Sequence, residues 1–172
     1  MFGFARKQQV AVDVQPSDIG LLIDARVAIA RELHEARLAE ENRRVAAAHP
    51  DASVGTQFIL SQDIWNGRHS ATLMGALELT PFDAWNVRFL PADEPSAAKL
   101  GLPRVFLGQF DELLRSADSL IGQIFASERL PADPFAALRA SEAVKHEVRR
   151  NLAGLTNYLY EDYILPTLRA AE

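Results

Sequence analysis

The chain has 172 residues, 48% hydrophobic and 24% charged, with a formal net charge of −5. That balance suits one folded domain and argues against wholesale disorder, and the acidic excess argues against nonspecific nucleic-acid binding, which needs clustered Lys and Arg. The absence of cysteine excludes disulfides, Cys-ligated zinc, iron–sulfur clusters and a thiol nucleophile, and it suits the reducing cytoplasm in which we expect the protein to work.

The chain opens Met-Phe-Gly-Phe-Ala-Arg-Lys. It lacks the apolar stretch and cleavage signal of a secretory signal peptide. Phe2 and Phe4 beside Arg6 and Lys7 are residue types that touch a membrane surface, but a frayed terminus is the favoured reading of them. Val10, Val12 and Val14 alternate along the chain, which is a strand signal. A lone strand needs a partner, so residues 1–16 read as an extended N-terminal arm.

Leu21 to Ala48 contains no Gly and no Pro and is rich in Ala, Leu, Glu and Arg, the best helix formers. This is a helix of roughly 28 residues, about 42 Å long, starting near Ser17 or Asp18 as N-cap. A helical wheel gives it two apolar stripes. Leu22, Ala25, Ile29, Leu33 and Ala36 form one. Ile23, Val27, Leu38 and Val45 form the other, and we take these four as the interface candidates. Glu40 has Arg43 and Arg44 at i+3 and i+4, a favourable ion-pair order.

Residues 56–65 carry Phe58, Ile59, Leu60, Ile64 and Trp65 and end at Asn66-Gly67. Asn-Gly signals a hairpin, which would pair Leu60 with Leu73 and Ile59 with Met74. The run does not alternate cleanly, however, and Ser70 resembles an N-cap for Leu73, Met74 and Leu77 at helical spacing. Two helices around the turn are therefore favoured. Thr80-Pro81-Phe82-Asp83 reads as a helix start, and Trp85 to Phe89 alternates as an extended segment does. Prolines at 91, 95 and 103 mark 90–103 as a connector with one helical turn at Ala97–Leu100.

From Arg104 to Arg129, apolar residues including Phe106, Phe110, Leu114, Ile121 and Ile124 fall on one arc, opposite Glu112, Arg115 and Ser119. Asp133-Pro134 starts another helix. A last helix carries Val144, Val148, Leu152, Leu155 and Leu159 on one face, and Pro166 kinks or ends it. Its wheel points Tyr160 and Ile164 away from that face, making them interface candidates too.

No Gly-rich phosphate loop, His-Glu-x-x-His or Gly-x-Ser-x-Gly pattern occurs. The histidines are 34, 49, 69 and 146, and none completes the Glu-x-x-His frame of bundle metal sites. Neither a metal nor another cofactor is expected. The densest run of functional residue types surrounds the Asn-Gly turn. Asp63, Trp65, Arg68 and His69, with Trp85, are candidates for a small-ligand site, since an Arg, a His and a Trp on a turn suit an anion or an aromatic. Turn geometry and core burial account for the same residues structurally.

The expected fold is mainly α: a single helical domain over 1–172, a bundle of five or six helices with a smaller irregular cap. The alternative is α+β, with a small sheet from residues 9–15 and 56–89. The expected function is a non-enzymatic interaction protein (adaptor, regulator or assembly subunit) engaging a protein partner or a second copy, without nucleic acid and without a transmembrane segment. The alternative is a ligand-binding protein or enzyme with a pocket near Trp65–Ser70.

Overall fold

A computed structural model describes residues 16–102 and 111–166. Residues 1–15 of the expected arm, with the Val10–Val14 strand signal and the segment from Phe2 to Lys7, and residues 104–110 of the expected Arg104–Arg129 helix lie outside the described residues. The fold is mainly α with a small two-stranded sheet. In order come α1 (Pro16–Ala48), β1 (Val54–Phe58), α2 (Gln62–Asn66), a first π-helical turn (Ala71–Ala76), β2 (Val87–Pro91), α3 (Glu94–Leu100), α4 (Asp111–Ser127), α5 (Pro134–Leu138), α6 (Glu142–Tyr158) and a second π-helical turn (Leu159–Ile164).

α1 begins at Pro16, whose fixed φ suits a first turn. It does not form a three-helix core with α4 and α6. Instead it packs on β1 and the first π turn, while α4 packs on α6 and α5 on the same π turn. Polar residues decide this docking. His34 is 5% exposed and its Nε2 lies 2.7 Å from Thr56 Oγ1. Its ring stacks on Phe89 and sits 5.5 Å from Phe82. About two turns further on, Asn42 behaves as an extra strand residue: its Oδ1 accepts from Val54 N and its Nδ2 donates to Val54 O.

β1 and β2 are antiparallel, from Val54 opposite Pro91 to Phe58 opposite Val87. The 56–65 run is therefore strand at its start and helix at its end. The Asn-Gly hairpin does not form: Leu60 and Leu73 are both fully buried in the core. The expected helix start at Thr80 is a turn instead. There the Asp83 carboxylate accepts from Thr80 N and Oγ1, and β2 claims the chain before a helix propagates. Asn86, fully buried, ties this turn to the core. Its Oδ1 accepts from Leu60 N, its Nδ2 donates to Pro81 O, and its carbonyl accepts from Ile59 N. The 90–103 connector holds the end of β2 and α3, capped by Asp93 accepting from Ser96 N and ended by left-handed Gly101.

The core runs from Ile59, Leu60 and Trp65 through Leu73 and Leu77 to Ile121, Val148, Leu152 and Leu159. α5 has the expected start at Asp133-Pro134, with Asp133 as its cap, and α6 is capped by Ser141, which the sequence reading did not single out. Arg149 Nε donates to Leu77 O, and Arg26 Nη1 donates to Met74 O.

Removing the Asn86 amide strands one buried donor and one buried acceptor. Asn86→Ala is expected to cost about 2–4 kcal/mol in urea unfolding. A loss under about 1 kcal/mol would show that the loop does not depend on it.

Candidate functional site

Two surfaces answer to the candidates. The first grows from the Asn66-Gly67 turn. A side chain at 67 would meet Asp63 O at 2.7 Å, so glycine is required there for close backbone approach. The chain turns through Gly67, whose carbonyl accepts from Ser70 N, and enters the first π turn. Ser70 is already helical and makes no side-chain cap bond. This entry holds His69 against α4. Its ring meets Phe125 edge-on at 5.2 Å. Its Nε2 is buried without a hydrogen-bond partner among the described residues, at 3.6 Å from Asp118 Oδ1. Arg68 Nη2 sits 2.7 Å from Asp118 Oδ2. Burial lowers the His69 pKa, Asp118 opposes that shift and Arg68 adds to it, so the site favours the neutral imidazole.

Arg68 and His69 line a cavity of about 390 Å³, together with Gly122, Phe125, Ala126, Leu130 and Ala132. The other three candidates do not line it. Trp65 is core, 1% exposed and 6.1 Å from Trp85. The Trp85 indole N–H donates to Asp83 instead. Asp63 is exposed on α2. Asp118 was not a sequence candidate. Its signal was Asp118, Gly122 and Phe125 at i, i+4 and i+7, one flank of a helix.

The second surface is α1. The candidates Ile23, Val27, Leu38 and Val45 are half-buried on the side turned to the body, and Ile23 Cδ1 lies within contact range of Gly75. His34 lies in the middle of that stripe, and Asn42 beside it. The exposed stripe is the other one: Leu22, Ile29 and Leu33 are 58–60% exposed and neighbouring Leu21 is 70% exposed. Beside it runs a groove of about 500 Å³, walled by Leu22, Ile29 and Leu33 on α1 and by Glu78 and Asp83 across from it. Arg26 bridges to Glu78 at its edge.

The C-terminal candidates are corrected as well. Ile164 is 3% exposed and part of the core. Tyr160 is half-buried under the Arg88 guanidinium at 4.9 Å. The second π turn is the cause, because a wheel drawn at α-helical spacing loses register where a wider turn intervenes. Tyr158 and Tyr163 are the exposed rings, edge-on with their hydroxyls hydrogen-bonded.

Among the described residues, no helix is long and apolar enough to cross a membrane and no cluster of three His, Asp or Glu is placed to hold a metal. No family model, curated protein or solved structure matches the chain.

Burial also lowers the His34 pKa, helped by Arg37 and opposed by Glu35. Both imidazoles therefore titrate below the usual 6.5 when folded. The unfolded chain binds these protons first, so their stabilising contribution is whole above pH 6.5 and lost as pH falls through the folded-state values. Urea midpoints are expected to drop between about pH 7 and pH 5, and to drop less in His69→Gln. A flat wild-type profile would contradict this reading.

Proposed function

We propose that this chain is a non-enzymatic helical interaction protein, an adaptor, regulator or assembly subunit of the cytoplasm, that engages a protein partner or a second copy through the outer face of α1. The observation that carries the reading is the exposure of Leu21, Leu22, Ile29 and Leu33 on one 33-residue helix. Isolated exposed apolar residues are ordinary, but Leu22, Ile29 and Leu33 aligned along one helix, with Leu21 at the edge of the row, are the pattern of an interaction face. Leu22, Ile29 and Leu33 keep the i, i+7, i+11 spacing with which helices anchor in one another's grooves. The body side of α1 already has its hydrogen bonds through Arg26, His34 and Asn42, so the outer side is available without disturbing the fold.

Ile29→Glu with Leu33→Glu tests this. Both positions are exposed, so the thermal midpoint is expected to stay within a few degrees of wild type. Native mass spectrometry of the chain isolated gently from its source cells is expected to show a multiple of 19.0 kDa or a second protein, and the double variant a bare chain. A bare wild-type chain under the same isolation would defeat the reading.

A further inference from the structure

The cavity behind the Asn66-Gly67 turn has a chemistry that the α1 reading does not use. Its volume of about 390 Å³ falls within the range of about 300–1,000 Å³ common to small-molecule sites. Phe125, Ala126, Leu130 and Ala132 give it an apolar wall. Its ionisable lining residues are Arg68 and His69, and no carboxylate is among the residues that line it. Both are N–H donors, one of them permanently charged.

Asp118 stands outside the lining and determines how these donors are held. It takes one terminal nitrogen of Arg68 at 2.7 Å. A guanidinium carries five N–H groups in a planar fork, and this one remains 66% exposed. Asp118 therefore positions the guanidinium without covering it. His69 is fixed by the π turn behind it and by Phe125 beside it, and its Nε2 has no hydrogen-bond partner among the described residues.

We propose that this cavity binds a small amphipathic organic anion, a carboxylate on an alkyl or aryl tail, with the carboxylate on Arg68 beside His69 and the tail against Phe125, Ala126 and Leu130. A charge-assisted fork on a carboxylate gives orientation, and burial of the tail gives most of the affinity. A cation would meet Arg68 at the wall, and a purely apolar ligand would leave the remaining N–H groups of Arg68 unused.

The test uses the full chain, with sodium octanoate as probe and octan-1-ol as its uncharged counterpart, followed by amide chemical shifts. Octanoate is expected to saturate, with the largest shifts at Gly122, Phe125, Ala126 and Leu130, and to bind at least about tenfold tighter than the alcohol. Arg68→Gln is expected to weaken octanoate by about tenfold or more and to leave octan-1-ol unchanged, while Arg68→Lys retains part of the binding. Ala126→Phe, at an exposed position on the cavity rim, is expected to abolish both. Three results would each overturn the proposal: no saturable shifts, shifts centred on Leu22, Ile29 and Leu33, or equal octanoate affinity in wild type and Arg68→Gln. If Arg68→Gln fails to fold, the octanoate-to-octanol ratio and Ala126→Phe still decide the matter. The α1 reading stands or falls separately, since its glutamate variants lie outside this cavity.

Discussion

Two arginines hold the middle of this fold by its backbone. The first π turn leaves the carbonyls of Met74 and Leu77 near its C-terminal end. Arg26 reaches Met74 O from α1 at 2.7 Å, and Arg149 reaches Leu77 O from α6 at 2.8 Å. Helix ends must find partners for such carbonyls or leave them to water, and here the partners come from opposite parts of the chain. Leu73, Ala76 and Leu77 then fill the core between them, and Glu78 takes the left-handed conformation that turns the chain away. The turn is thus the shared surface on which the α1–sheet half and the α4–α6 half both rest.

That arrangement explains why α1 keeps an apolar outer face. A helix docked at its two ends by hydrogen bonds, through Arg26 near the start and Asn42 near the end, has little rotational freedom about its own axis. His34 in its box of Phe58, Phe82 and Phe89 locks the middle. The body accepts one stripe, and the other is left to solvent at an unfavourable cost of about 25 cal/mol per Å² of apolar surface.

The same constraint builds the cavity. The π turn begins where His69 ends its bend, so the turn that joins the two halves also presses the imidazole against α4. Arg68 and Asp118 then meet from elements far apart in sequence. Wider turns of this kind often lie at functional sites because they shift the following side chains out of α-helical register. The second one, at Leu159–Ile164, does this near the C-terminus: it turns Ile164 inward and leaves Tyr158 and Tyr163 outside.

Much of the architecture was readable from residue patterns. Ala- and Leu-rich, Gly-free and Pro-free sequence made α1 a long helix, Asp133-Pro134 made a helix start, and Trp85 to Phe89 announced an extended segment. These are local effects of propensity and hydrogen bonding within a few residues, and the sequence by itself determined them. Which stripe of α1 faces inward was not local, because both are equally apolar; His34 and Asn42 settled it by finding Thr56 and Val54 across the fold. Strand β1 against helix at 56–65, the failed helix at Thr80, and the docking of the first π turn were likewise decided by partners distant in the chain, namely β2, Asn86 and the two arginines. Arg68 and His69 were visible as candidates, but Asp118 and the apolar wall came together only when α4 packed beside the turn. A site is a matter of distances, and distances between segments exist only once the tertiary structure has formed.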